Sequence, residues 1–216
     1  VAGTHAPSVI VEQYRYIVES WGGELEIVTP EIGGSFGARW EHPSHLVCLM
    51  FAHQLGRDIA MVVPRRDDMI DGRTRLAMRL HMRLGAAADG TFLVKESTIL
   101  ADNGAYTLHG KPVTMAATIR GDNIYRFNAI KAQSRLVYTN NIPSECFRGF
   151  GIPQSSFGLE QLVDKLARRL NIDPVVLRRI NASRSGETTI HGWEIGSCGI
   201  DECFDAVTDR IDGYQQ

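Results

Sequence analysis

The sequence predicts an α+β chain, a mixed sheet that carries an antiparallel hairpin and is packed by helices. Three observations predict it. Leu76, Met78, Leu80, Met82 and Leu84 alternate strictly with Arg75, Ala77, Arg79, His81 and Arg83, the period-two pattern of a half-buried strand. Asp89-Gly90 follows as a hairpin signal, and residues 91–101 return as a second strand. Helical stripes stand on both sides of that hairpin, the first with apolar side chains at positions 9, 10, 11, 14, 17 and 18.

Taken in order, that first helix spans 9–20 and stops at Gly22-Gly23. Residues 25–28 read as a short buried strand ending before Pro30, and a glycine loop, Gly33-Gly34-Ser35-Phe36-Gly37-Ala38, comes next. A second helix opens near Pro43, a favoured residue at the first helical position, and runs to Gly56; it is apolar nearly all round, which predicts burial. Residues 59–63 read as a strand that Pro64 stops, and 132–139 as the third strand of the sheet. A second glycine-bearing loop, Arg148-Gly149-Phe150-Gly151, follows. The helix after Pro153 has apolar positions 157, 159, 162, 163, 166 and 170. Asp173-Pro174 reads as the N-cap and first-turn proline of another helix, to Asn181. The stretch 183–199 reads as irregular and 201–211 as a final helix. No composition shift marks a boundary, so residues 1–216 read as a single domain.

Composition bounds the function. The 216 residues carry 23 Lys+Arg against 25 Asp+Glu, a net charge of −2, which argues against a basic nucleic-acid binder. No window approaches the roughly 18 consecutive apolar residues of a membrane span, and the start, VAGTHAPSV, lacks a signal peptide's basic and apolar regions. The four cysteines, Cys48, Cys146, Cys198 and Cys203, form no C-x-x-C pair, so zinc and iron–sulfur frameworks are not expected. Reduced thiols suit a cytoplasmic setting. A start at Val1 and an end at Gln216 just past a helical run read as a piece of a longer chain.

The two glycine loops are the chemical signal. Glycine admits positive φ and close approach of backbone to ligand, so each loop can turn N–H groups toward an anionic or oxo-bearing group. Each also holds an aromatic, Phe36 or Phe150, able to wall a pocket. A plain tight turn is the competing reading. Neither loop has the G-x-G-x-x-G spacing or the Gly-Lys-Ser/Thr of nucleotide folds. The Arg75, Arg79, Arg83 and His81 face reads as a solvated strand face. His42, His45 and His53 lack the spacing and third ligand of a metal site. Glu96, Asp102 and Glu145 read as structural carboxylates, and Trp40 and Trp193 as core.

Several segments together resemble the molybdenum hydroxylases, the xanthine dehydrogenase and aldehyde oxidase family. Gly33-Gly34-Ser35-Phe36-Gly37-Ala38-Arg39 is similar to that family's GGGFGGK loop. Cys146-Phe147-Arg148-Gly149-Phe150-Gly151-Ile152-Pro153-Gln154 is similar to its FRGFGxPQ loop, Tyr138-Thr139-Asn140-Asn141-Ile142-Pro143-Ser144 to the TN-x-PS lead-in, and Gly3-Thr4-His5-Ala6-Pro7 to an STQ-x-P segment. The separation of 112 residues from Phe36 to Arg148 also fits. The resemblance covers nearly the whole chain and implies the fold of the family's first molybdopterin-binding domain.

It further implies a molybdenum–molybdopterin cofactor, as such or as its cytosine dinucleotide. The backbone amides of Phe36 and Arg148 would lie against the metal, and Gly34, Ser35, Gly37 and Gly149 would shape the approach. Phe150 would stack on a flat substrate, and His5 would stand where the family has a glutamine near the apical oxo ligand. The implied activity is oxidative hydroxylation of an aldehyde or an aromatic or heterocyclic carbon with oxygen from water. Trp40 and Ala116 replace the Glu and Arg of purine-oxidising members, which argues against purines. Gly149 replaces the copper-binding Cys of carbon monoxide dehydrogenases. Nothing after Gln154 matches the segment with the family's general-base glutamate, so the isolated chain is expected to be inactive. The remaining C-terminal part of the subunit, 2Fe-2S and FAD domains or subunits, and an oligomer are implied as partners. The alternative is a non-catalytic binding or assembly domain derived from such a subunit.

Overall fold

The computed structural model describes residues 1–40 and 42–211. The chain forms two compact units. The first comprises Val1–Thr74 and Glu145–Arg148; the second comprises Arg75–Ser144 and the described residues from Gly149 onward. Two-residue strands, β1 (Thr74–Arg75) and β5 (Ser144–Glu145), mark places where the chain passes from one unit to the other.

The second unit is built on a three-stranded sheet of β2 (Met78–Ala86), β3 (Phe92–Gly104) and β4 (Ala129–Tyr138), with β3 in the centre. β2 and β3 pair antiparallel, Met78 opposite Ala101 and Leu84 opposite Lys95, around the turn that Asp89-Gly90 predicts. The alternation is real: Leu80, Met82 and Leu84 are half-buried while Arg79, His81 and Arg83 are exposed. β3 and β4 run parallel, which makes the sheet mixed as expected. A parallel pair needs a crossover, and α4 (Gly110–Ile119) supplies it, lying against both strands.

α5 (Ile152–Leu170) lies against β2 and against α4, and α6 (Pro174–Asn181) lies against α5. Leu159, Val163 and Ala167, spaced at four, face the core and meet Phe92, Tyr125, Phe127 and Leu177. Phe92 stacks on Phe127 at 5.6 Å and meets Tyr125 edge-on at 5.4 Å, geometries that add to simple area burial. Phe157 carries the same apolar signature but falls off that stripe and is exposed. Asp173 caps α6 as predicted, its carboxylate accepting from the Val175 and Val176 amides at 2.8 and 3.0 Å. The stretch 183–199 holds only a bridge between Thr188 and Glu194, and α7 (Ile200–Thr208) closes the described chain.

In the first unit α1 (Pro7–Ser20) buries Ile10 and Val18. α2 (Pro43–Leu55) forms where proline and Gly56 bracket it, but none of its residues is fully buried. Met50, Phe51 and Leu55 are 47%, 48% and 53% exposed, so the apolar circumference predicted burial that the chain does not provide. The two strands expected at 25–28 and 59–63 are irregular, because among the described residues no neighbouring strand pairs with their backbone. α3 (Arg65–Asp71) follows Pro64 with Asp67 and Asp68 in its first turn, where the helix dipole favours negative charge. Among the described residues no helix is long and apolar enough to cross a membrane.

Candidate functional site

The first unit brings most of the predicted site residues together. The loop at 33–38 turns on Phe36, whose φ of +52° is rare for a bulky residue. Gly37 follows with φ +108°, and a Cβ there would stand 2.3 Å from the Cys146 carbonyl oxygen. This close approach seats segment 146–148 against the loop. Cys146 Sγ lies 3.5 Å from the Gly37 carbonyl, and the Arg148 guanidinium sits over the Phe36 ring at 5.5 Å, a cation–π contact.

Local hydrogen bonds shape the loop. The Ala38 amide donates to the Ser35 carbonyl at 2.8 Å, and the Arg39 amide to Ser35 Oγ at 3.3 Å. Among the described residues no protein acceptor takes the amides of Gly34, Ser35, Phe36 or Gly37. Phe36 is 60% exposed. A cavity of about 710 Å³ opens beside the loop, lined by Gly3, Ser35, Phe36, Arg39, Trp40 and His45 among others. Unused amide donors, an apolar ring and an adjoining cavity suit an anionic group held by backbone N–H.

His5 is anchored to the same loop. Thr4, fully buried, donates its hydroxyl to the carbonyls of Arg39 and Trp40 and accepts from the Ala6 amide. The His5 amide donates to the Arg39 carbonyl at 3.0 Å. The imidazole Nδ1 lies 2.7 Å from Ser35 Oγ, and the ring meets Trp40 edge-on at 5.2 Å. Trp40 is therefore a half-buried cavity residue, where sequence alone favoured a core position.

Gly149 and Phe150 belong to the second unit. Phe150 mirrors Phe36, with φ +53° between two glycines of positive φ. Gly149 has φ +91°, and a Cβ there would stand 2.4 Å from Pro153 Cγ. These strained aromatics are two of the three positive-φ residues other than glycine among the described residues; the third, Asn171, caps α5. Strain at a bulky residue persists only where its surroundings hold it and is commonest at functional sites.

The lead-in before the second loop is held by Asp102. Its carboxylate accepts from the Thr139 hydroxyl at 2.6 Å, the Gly104 amide at 2.9 Å and Asn141 Nδ2 at 2.6 Å. These bonds favour the charged form and hold the carboxyl below the ordinary carboxylate value. A lowered folded-state pKa gives stability that is present above the unfolded value and lost as pH falls through the folded one. Below about pH 4 the amides of 139–142 are therefore expected to lose hydrogen-exchange protection in wild type. Asp102→Asn is expected to remove that acid step, and an unchanged step in the variant would refute the assignment.

The other candidate groups have structural uses. His42 caps α2 through the Ser44 amide, and His45 Nδ1 accepts from the His42 amide. Burial, with His42 and Arg73 nearby, lowers the His45 pKa. His53 stacks on Trp21 at 4.2 Å. Glu145 is buried and paired with Arg73 at 3.1 Å, Arg75 donates to Gln154 at 3.1 Å, and Trp193 is 37% exposed. Sequence reasoning missed the His5–Ser35 contact, whose members stand 30 residues apart. It also missed the matching strain of Phe36 and Phe150, which a Phe-Gly pair in each loop could have signalled.

Comparison with known proteins agrees with these features. Residues 1–182 match the molybdopterin cofactor-binding domain family. The chain is 28% identical over 197 residues to the nicotinate dehydrogenase large molybdopterin subunit of Eubacterium barkeri, covering 89% of this chain and 46% of that protein. It is 31% identical over 194 residues to the aldehyde oxidoreductase of Megalodesulfovibrio gigas, covering 88% of this chain and 21% of that one. The solved aldehyde oxidoreductase from Desulfovibrio gigas superposes with a TM-score of 0.80 at 26% identity, over 96% of this chain and 23% of that one. The chain thus spans about a fifth to just under half of these relatives. By its matched residues, its fold and its two strained glycine-flanked loops, the chain belongs to the molybdopterin cofactor-binding domain family found in xanthine dehydrogenase and aldehyde oxidoreductase subunits.

Proposed function

We propose that this chain is a cofactor-binding part of a larger molybdenum hydroxylase subunit, acting on an aldehyde or on an aromatic or heterocyclic carbon. The observation that carries this reading is the loop at 33–38, with its strained Phe36 and four amides that have no protein acceptor among the described residues. The residues present fit a molybdopterin centre on that ground. Gly34, Ser35, Phe36, Gly37, Arg148 and Gly149 would hold the group, with the amides of Phe36 and Arg148 toward the metal. When bound, the centre supplies a two-electron acceptor for carbon oxidation with oxygen from water.

The protein's own part is orientation. Preorganised amides stabilise negative charge without reorganising during the reaction, and the positive φ of Phe36 is held by Gly37 against segment 146–148. Phe150 would stack a flat substrate, and His5 would donate a hydrogen bond to the group. A purine is disfavoured, because Trp40 and Ala116 offer no charge where a polar anchor is needed; Trp40 meets His5 and Ala116 is buried in α4. The general base would come from the rest of the subunit, and electrons would leave through 2Fe-2S and FAD partners. The pterin would be the plain or the cytosine dinucleotide form.

Metal and pterin analysis of the full-length subunit tests this reading. One molybdenum per subunit is expected, and its absence from native protein would favour a non-catalytic assembly domain. Arg148→Lys is expected to keep most of the molybdenum, since the contact would run through backbone. Gly149→Val is expected to lose most of it, since its Cβ has no room beside Pro153. Equal molybdenum in wild type and Gly149→Val would count against the placement.

A further inference from the structure

Among the chain's departures from the family's loop pattern are His5 for a glutamine and Ser35 for a glycine, and these two residues touch. Ser35 Oγ lies 2.7 Å from His5 Nδ1, while one of its lone pairs already accepts the Arg39 amide at 3.3 Å. A hydroxyl has one hydrogen to donate and two lone pairs. If Nδ1 carried the proton, Nδ1–H would fill the second lone pair, and the seryl hydrogen would have no protein acceptor among the described residues. If the hydroxyl donates to Nδ1, the seryl hydrogen and Nδ1 are both used, and only Nε2–H is left to a further acceptor. Which imidazole nitrogen carries the proton is set by the hydrogen bond the other makes.

We propose that the Ser35 hydroxyl holds His5 as its Nε2–H tautomer, so that His5 offers an N–H donor to the group bound at the loop. This rests on the function proposed above. It gives the second departure a reason: a glutamine amide carries its own N–H donor, whereas an imidazole needs a neighbour to fix which edge donates. Ser35 is then a positioning residue, acting through His5. The backbone is anchored by hydrogen bonds, with buried Thr4 tied to Arg39 and Trp40 and the His5 amide on the Arg39 carbonyl. Trp40 limits ring rotation from the side. Nε2 has no partner among the described residues, which leaves it available.

Nitrogen NMR of the full-length subunit labelled at histidine, with His5→Gln to identify the signals, reads the tautomer directly. Near neutral pH the expected wild-type pattern is an unprotonated Nδ1 and a protonated Nε2, and Ser35→Gly is expected to lose that preference. An Nδ1–H tautomer in wild type, or the same tautomer in both proteins, would overturn the proposal. Molybdenum retention during dialysis gives a second readout. Ser35→Gly is expected to speed loss about threefold to tenfold, the worth of one net hydrogen bond, when His5 is present. It should have no such effect in a His5→Gln background. The lost Arg39 contact is common to both backgrounds and cancels, and equal effects in the two would overturn the coupling. If no variant and no wild type holds molybdenum, the function reading fails, and the NMR pattern still decides the pairing.

Discussion

Gly37→Ala is expected to cost about 3–5 kcal/mol of stability and to strip the loop of its cofactor, because two separate penalties fall on one methyl group. The first is conformational: Gly37 sits at φ +108°, where an L side chain is strained wherever it points. The second is steric: the new Cβ would lie 2.3 Å from the Cys146 carbonyl oxygen and 3.1 Å from Phe147 Cα. Both obstacles are backbone, so no rotamer change relieves them. Segment 146–148 must retreat, and with it the Arg148 contact to Phe36. Gly33→Ala is the control. Nothing lies within 4 Å of its Cβ and its φ is not positive, so the change should stay within about 0.5 kcal/mol. Denaturant unfolding of both variants, with molybdenum content of the full-length subunit, checks the pair. Equal midpoints for Gly33→Ala and Gly37→Ala would remove the close approach from the explanation.

That contrast shows what the sequence could and could not carry. The strand β2 was legible because one face is buried and a period of two records it residue by residue. The α6 cap was legible because Asp173-Pro174 is a local device that works within one turn. α4 was not, since Gly110, Pro112 and the two threonines Thr114 and Thr118 are poor helix formers. Packing on β3 and β4 holds it instead, while Thr114 and Thr118 return their hydroxyls to carbonyls one turn back. The apolar runs at 25–28 and 59–63 carry the composition of buried strands, but a strand is a relation between two segments, and among the described residues no strand pairs with them. The site divides the same way. Glycine spacing located both loops, but the positive φ of Phe36 goes with a contact 109 residues away, and that of Phe150 with flanking glycines of positive φ.

The second large effect lies away from the loops. Lys95 and Asp122 are 3% and 1% exposed and form an ion pair inside the second unit, with His191 Nε2 3.2 Å from the other carboxylate oxygen. Desolvating each ion costs several kcal/mol, and the pair persists because each member compensates the other. Asp122→Asn leaves the lysine charge buried against a neutral amide, and it is expected to destabilise the protein by about 3–5 kcal/mol in urea unfolding at pH 7. Lys95→Met with Asp122→Leu removes both charges at similar volume, and is expected to lie much closer to wild type or above it. Asp122→Asn should also free His191 and expose the irregular stretch 183–199 to proteolysis, because this is the contact by which a β3-anchored charge holds that stretch. If Asp122→Asn were as stable as the double variant, the buried charge would be lost at no cost. Lys95 would then have to be neutral in the folded protein, and the pair would be a hydrogen bond and not an ion pair.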